Sequence, residues 1–413
     1  MDPTPQICHS AATSSTPNKH RLVVAFVLIA LVGVALRIYP SAGFNGIGYD
    51  EALYRGYVND LIASGLGNYP EMAEHYVAVQ SVVVKANLPP TRFSYIFSAY
   101  LWHLGTGAEA LRALHAVSCL FSILLFFLAG IVAWRLGGSG LALGVFALMS
   151  CAPTQIHMSQ HALIDGFFAF WATLSFWLLW ENLRRPNDLR WLVAYTASLT
   201  LLVVTKENAM FVYTGLLALF LANRWLHFGQ TTRVLLGVTV VGPLAGIAIL
   251  VALCGGVDTF YYTYRLLVSQ ASVLPYAIAT GDGPWYRYLL ELLLVSPLVF
   301  LLAWGAVFRL KPGNKPALFL IVFVSATYLI MCNVRYGMNL RYTNMWDMPL
   351  RYLAVLCLCD LSQSFRRYHA ASIILAVILL GAFDLRQYHI FFVKYGLYEP
   401  VPAGMLRAVQ ILK

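Results

Sequence analysis

The chain has 413 residues, 60% of them hydrophobic and only 11% charged. Soluble domains carry roughly a quarter charged residues, so this composition excludes a water-soluble enzyme, a nucleic-acid binder and a disordered scaffold. The formal net charge of +10 then reads as an orientation signal for a membrane protein, not as an attraction for nucleic acid.

Residues 1–21 form a polar tail, rich in Pro, Ser and Thr, that ends in Lys19-His20-Arg21. The apolar run after it lacks a small-residue cleavage site and is read as an anchor that stays. Crossing the hydrocarbon core takes roughly 20 residues of helix. Runs that approach this recur near 22–39, 109–134, 139–156, 163–181, 191–205, 208–223, 234–254, 286–308, 316–332, 347–361 and 370–384. The expected fold class is an all-α polytopic membrane protein with about 11 transmembrane helices, its transmembrane domain spanning 22–384. Seven cysteines with no CxxC spacing read as small apolar residues.

The loop of about residues 40–92 is polar and too long for a plain connector, which marks it as functional. Within it, Gly48-Tyr49-Asp50-Glu51 is followed by Leu53, Tyr57 and Leu61 at a spacing of four, which predicts an amphipathic helix over 50–64. Asp50 and Glu51 then stand at its N-terminus. They can simply cap the helix, where the dipole favours an acid. They can also serve as a general base or bind a divalent metal. No other cofactor is implied. The stretch 93–106 is apolar and aromatic but short, follows Pro89-Pro90, and is read as a partial or interfacial helix.

That reading sorts the charges by side. One set of loops holds Lys19 and Arg21, Arg135, Arg184, Arg185 and Arg190, Arg224 and Arg233, Arg309, Lys311 and Lys315, and Arg366 and Arg367. The other holds most carboxylates: Asp50, Glu51, Asp60, Glu71, Glu74, Asp165, Asp258 and Asp282. By the positive-inside rule the first set and the N-terminus are cytoplasmic. Loops 40–92 and 256–285 and the short tail 385–413 then face outward, most naturally from a bacterial inner membrane.

The outer face holds the residues that can carry chemistry. Asp165 opens a span at its outer end, with His157 and His161 before it at helical spacing. An ionisable residue there is a functional candidate. The plain alternative is a cap beside hydrogen-bonded histidines, and a zinc site of His157, His161 and Asp165 lacks a fourth ligand. Lys206-Glu207 interrupts apolar sequence at an outward junction, as a local ion pair or as part of the same site. Lys85, Arg92, Arg265, Arg335 and Arg341 stand on the side the charge rule disfavours, and a cluster there wants an anionic partner such as phosphate. Carboxylates plus cations beside a bilayer suit a lipid-linked phosphate donor: a carboxylate takes the acceptor's proton while cations hold the departing phosphate. No P-loop, GxSxG, HExxH or Rossmann glycine pattern is present. A transporter or flippase of a lipid-linked or anionic substrate is the main alternative, but transporters place ionisable residues mid-membrane in repeated halves. A non-catalytic assembly subunit would have no need of both acids.

Several short elements run in a recognisable order. Tyr49-Asp50-Glu51 follows the first span, Asn87-Leu88-Pro89-Pro90 precedes an aromatic helix, and Ala110-Leu111-Arg112 follows it. Ser159 to Phe167 brings Asp165, and Thr205-Lys206-Glu207 a charged junction. Pro284-Trp285-Tyr286 leads up to Pro297, and Leu340-Arg341-Tyr342 precedes Pro349. Together they resemble the GT-C glycosyltransferases, in particular the protein O-mannosyltransferases and lipid A aminoarabinose transferases of glycosyltransferase family 39. The resemblance implies a polyprenyl-phosphate-linked sugar donor, an acceptor that is a lipid, glycan or protein, transfer at the outer face, and inversion at the sugar carbon. It implies an acid of the first loop as base, which carried over onto this sequence is Asp50. Asp165 becomes a second acid, and Lys85, Lys206 and Arg341 become phosphate contacts. Arg92, His161, Glu207 and Arg265 complete the candidate set as substrate-binding residues. Leu88 stands where aminoarabinose-type relatives place Lys before the Pro pair, and His161 where an Arg is common. The tail from Arg386 to Lys413 is too short for the large outer domain of some relatives.

Overall fold

The computed structural model describes residues 19–39, 46–84 and 88–412. Every regular element among these residues is helical. Helix α1 (Lys19–Ile38) is followed by α2 (Tyr49–Ser64), α3 (Tyr69–Val82) and α4 (Phe93–Thr106). Next comes a helical hairpin, α5 (Ala110–Ser150), which turns at Gly138. Its φ of +80° suits glycine and strains any other residue. The two legs lie side by side, with Phe126 stacked on Phe146 at a centroid distance of 4.1 Å. They are the predicted runs 109–134 and 139–156, except that the second leg ends at Ser150 and a separate helix, α6 (Pro153–Ser159), follows. Pro153 has no N–H with which to extend the hairpin's ladder.

Helix α7 (Ile164–Arg184) runs through the core. Helices α8 (Leu189–Val203), α9 (Ala209–Leu226) and α10 (Arg233–Leu253) come next. Helix α10 approaches α8 through Gly242 and Gly246, where an added Cβ would lie 2.8 Å from Leu199 or Val203. Small residues four apart allow such contact where lipid supplies no hydrophobic drive between helices. Beyond α11 (Val257–Ala271) and α12 (Pro275–Thr280) lie α13 (Arg287–Val295), α14 (Pro297–Phe308) and α15 (Lys315–Met331). The predicted single run 286–308 is broken at Ser296, because Pro297 cannot continue α13. A 3-10 segment (Leu340–Trp346) leads into α16 (Asp347–Ser362) and then α17 (His369–Tyr388). A π turn carries α17 on to Lys394, past the predicted end at 384, and α18 (Ala403–Ala408) closes the tail.

By length and composition five helices among the described residues can cross a membrane, those at His20–Ile38, Ala110–Ser150, Ala209–Leu226, Arg233–Leu253 and His369–Lys394. The chain is a multi-pass integral membrane protein. Helices occupy all of the predicted apolar runs, but α8, α14 and α15 are shorter than a full crossing. Faces of α1, α10 and α17 leave Leu28, Leu31, Val240, Leu244, Ile374 and Ile378 exposed, as a lipid-facing surface requires. Exposed Trp134, Trp225 and Trp304 lie near Arg135, Arg224 and Arg309 at one end of the bundle. Exposed Tyr39, Tyr261, Tyr276 and Trp285 lie at the other. Such aromatic girdles mark the two headgroup levels of a bilayer.

The segment between α1 and α4 sits on the helix ends. Helix α2 buries Glu51, Tyr54, Val58 and Leu61, while Leu53 and Tyr57 stay half-buried. The buried stripe thus differs from the predicted Leu53, Tyr57 and Leu61, because Glu51 is drawn inward by backbone donors. Helix α4 is the ambiguous 93–106 stretch. Its Ser94, Tyr95, Ile96 and Ala99 are buried beside α2 and α5, and its 14 residues span about 21 Å, short of the hydrocarbon core.

A charge network is buried beneath this layer. Arg351 donates to Asp347 Oδ1 at 2.7 Å, Asp384 Oδ2 at 2.8 Å and the Leu148 carbonyl at 3.1 Å. Thr154 and Gln155 also donate to Asp347, and Ser296 to Asp384. Buried charges are tolerated only when partnered in this way. The network ties α16 and α17 to α6 and to the α13–α14 break.

Candidate active site

Four remote parts of the chain meet at one end of the bundle. Asp50 stands in the first turn of α2 and Asp165 in the first turn of α7. Lys206 lies between α8 and α9, and Arg341 in the 3-10 segment that Asn339 caps by accepting from the Arg341 N–H at 2.9 Å. Arg341 Nη2 donates to Asp50 Oδ2 at 3.0 Å, and its Nη1 lies 3.8 Å from Asp165 Oδ2. Lys206 Nζ donates to Asp165 Oδ1 at 2.6 Å and sits 4.1 Å from the centre of the Tyr342 ring. Both cations are buried, while the Asp50 side chain is 24% exposed. Burial pushes the Lys206 ammonium down, and Asp165 offsets this only in part. Burial also opposes the Arg341 charge, but Glu399, Asp50 and Asp165 outweigh it and raise the group further. Arg341 Nε and Nη1 are buried and donate to no atom of the described residues. Buried donors of this kind want an acceptor.

Arg92 and Glu207 form a local pair. The Nε–Nη2 edge of the guanidinium faces the carboxylate, with Nε donating to Oε2 at 3.1 Å and Nη2 to Oε1, while Nη1 donates to Tyr54 Oη at 2.6 Å. Burial pushes the Glu207 carboxyl up, but Arg92 and Lys206 hold it below its usual range. Ser94 N–H donates to Val204 O at 3.0 Å, so the pair and this bond together clamp the Lys206 junction to α4. Arg92 and Glu207 therefore hold the site's frame, with their charges already matched.

Glu51 is turned away from Asp50. It is 1% exposed and accepts from Gly48 N–H at 2.6 Å and Ala162 N–H at 2.7 Å. His161 Nδ1 lies at 3.3 Å and His115 Nε2 at 3.4 Å. Burial pushes its carboxyl up, but hydrogen bonds from His115, His161 and Gly48 hold it well below the ordinary carboxylate range. Glu51 thus anchors the start of α2 to the loop before α7, and His161 serves that anchor.

His157 stacks on Phe392 at 3.9 Å, and its Nε2 donates to the Tyr398 carbonyl at 2.8 Å. Burial pushes its imidazole well down, so it is neutral. Asp165 faces Lys206 instead, so His157, His161 and Asp165 do not converge on a zinc ion. Among the described residues no group of three or more His, Cys, Asp or Glu could hold a metal ion. Arg265 is exposed on α11 and joins no ion pair of the cluster, and Arg335 is exposed as well. Lys85 lies outside the described residues.

Sequence reasoning missed Glu399. Its Oε1 lies 3.3 Å from Arg341 Nη2, and Asn339 Nδ2 donates to its Oε2 at 3.0 Å. The available signal was an acid set between Tyr398 and Pro400, in a tail with no other acidic side chain after Asp384. A partly open carboxylate thus stands against two buried cations, of which Arg341 keeps unused donors. Such a group can accept a proton beside a place where anionic charge is stabilised.

Residues 68–279 match the family model described as dolichyl-phosphate-mannose-protein mannosyltransferase. A protein of Aquifex aeolicus (strain VF5), itself uncharacterised, is 25% identical over 320 residues. The match takes in 75% of this chain and 59% of that protein, so the chain spans well under two thirds of the curated relative's length. Among solved structures, ArnT from Cupriavidus metallidurans bound to undecaprenyl phosphate aligns with a TM-score of 0.58 at 15% identity, over 95% of this chain and 78% of that one. The apo oligosaccharyltransferase of Archaeoglobus fulgidus aligns with a TM-score of 0.62 at 14% identity, over 93% of this chain and 57% of that one. Arabinosyltransferase EmbB from Mycobacterium smegmatis aligns with a TM-score of 0.53 at 12% identity, over 97% and 41%. At these identities the likeness is one of fold, the GT-C fold.

Proposed function

The chain belongs to the dolichyl-phosphate-mannose-protein mannosyltransferase family, and from that membership we propose that it is a glycosyltransferase moving a sugar from a polyprenyl-phosphate-linked donor to a lipid, glycan or protein acceptor. The observation that carries this reading is the meeting of Arg341 and Lys206 with Asp50 and Asp165 at one end of the bundle. The undecaprenyl phosphate in the ArnT structure supports the class of donor.

The acceptor's hydroxyl or amine attacks the sugar's anomeric carbon. The bond from that carbon to the phosphate oxygen breaks, and its electron pair leaves on the polyprenyl phosphate. Attack opposite the leaving group inverts the carbon. Asp50 takes the proton, for it is partly open, whereas the Glu51 oxygens are occupied by backbone donors. Arg341 offers its unused Nε and Nη1 donors to the leaving phosphate, and Lys206 adds a point charge. Asp165 holds Lys206 in place.

The catalytic domain is 22–384, with the N-terminus cytoplasmic and the site periplasmic or outward, in a bacterial inner membrane. Helix α7 carries Asp165 in its first turn and Arg184 in its last, about 30 Å apart. The site and the basic loops therefore lie at opposite ends, which supports this orientation.

The test is transfer by purified protein from a polyprenyl-phosphate sugar. Asp50→Asn should abolish transfer while leaving donor binding, and full activity in that variant would refute the assignment. For topology, cysteines placed at Pro70 and Gly313 in a Cys-less background are probed with an impermeant thiol reagent. Position 70 should label from outside and 313 should not.

A further inference from the structure

The charges around Arg341 do not leave room for a phosphate as they stand. Among the described residues, the four carboxylates of Asp50, Asp165, Glu207 and Glu399 face the three cations Arg92, Lys206 and Arg341. Arg341 alone is approached by three carboxylates. An anionic ligand entering such a cluster meets net repulsion unless one carboxylate withdraws. Asp50 is fixed in a helix turn, and Asp165 is fixed in another and held by Lys206. Glu399 differs, because it stands on irregular chain between the π turn and α18.

Its flanks are anchored, with Leu397 N–H donating to the Phe391 carbonyl and Pro400 and Val401 buried, while Tyr398 and Glu399 reach into the site. Tyr398 lies edge-on to His161, with centroids 5.2 Å apart, and its carbonyl accepts from His157. Its ring covers Gly48 so closely that an added Cβ there would fall 2.2 Å from the ring. Glu399 itself meets Asn339 and Arg341.

We propose that Glu399 is a built-in stand-in for the donor's phosphate, and that segment 395–401 is a latch which an anionic lipid headgroup displaces from Arg341. This rests on the donor class proposed above. When Glu399 leaves, the guanidinium turns to the phosphate, and Asp50 loses part of its cationic neighbour and becomes a better base. Latch release and base activation are then one event.

The full chain in detergent micelles is titrated with undecaprenyl phosphate, comparing wild type with Glu399→Gln and Gly48→Ala. Glu399→Gln keeps the size and the Asn339 contact but removes the competing charge. It should bind about tenfold tighter, with a lower donor KM and little change in kcat. Gly48→Ala should shift binding the same way, because the new methyl group dislodges Tyr398 while leaving Glu399 intact, and this variant also carries the test if Glu399→Gln does not fold. Unchanged or weaker binding in the folded variants overturns the latch while leaving the donor class standing. Failure of all three folded proteins to bind overturns the donor class and the latch with it.

Discussion

Replacing Glu51 by Gln separates an anchor from a base, and the structure sets the size of the effect. The wild-type carboxylate receives Gly48 N–H on Oε2, and Ala162 N–H with His161 and His115 on Oε1. A glutamine must place its NH2 on one of these sides, where it confronts a backbone N–H. The less costly choice faces Gly48, which loses one charge-assisted bond worth about 1.5–3 kcal/mol. The bonds left on the other side lose their charge assistance and weaken by about half. At 1% exposure solvent cannot compensate. The expected cost is about 3 kcal/mol in total, read as a lowered denaturation midpoint in detergent at neutral pH. The folded carboxyl is held below its unfolded value, so its contribution is complete above an unfolded pKa of about 4.3 and drains away as pH falls through the folded value. The gap between wild type and variant should therefore persist at pH 5 and narrow only in stronger acid. A Glu51→Gln protein as stable as wild type but devoid of transfer would refute the anchor reasoning and make Glu51 the base.

The other expectations concern different links. Lys206→Met strands the buried Asp165 carboxylate and should lower kcat/KM for the donor at least about 100-fold in a transfer assay; a loss under threefold would contradict a role at the phosphate. Arg351→Met leaves Asp347 and Asp384 without their shared cation and should destabilise the fold by about 3–5 kcal/mol, measured by thermal unfolding in detergent. Gly138→Ala forces a side chain into a positive φ and should cost about 1–2 kcal/mol, with kcat unchanged because the hairpin turn lies at the end remote from the site.

The sequence made the helices legible because lipid imposes one rule on every span: about 20 apolar residues whose backbone bonds close within the helix. It could not show where a run breaks inside the bundle, as at Pro297, since neighbouring groups decide whether a break is tolerated. The acids and cations of the site were legible because they edged or interrupted apolar runs, or stood against the charge rule. Their pairing was not, because Arg341 meets Asp50 across a separation no local pattern records. Glu51 was read with Asp50 for the same reason; only the tertiary arrival of Ala162 and His161 tells the two apart. Asp347, Arg351 and Asp384 were present as ionisable residues within or at the edge of predicted runs, a signal that deserved the weight given to Asp165.

The aromatic girdles have a kinetic consequence. They fix the molecule's depth, so that Asp50 and Arg341 stand near one headgroup level, where the lipid-borne donor proposed above travels sideways and never enters the buffer. Its concentration is then a mole fraction of the bilayer. Diluting vesicles with water should leave the rate per protein unchanged, while diluting the donor with inert lipid should slow it, and a water-soluble acceptor would respond to the opposite pair of changes.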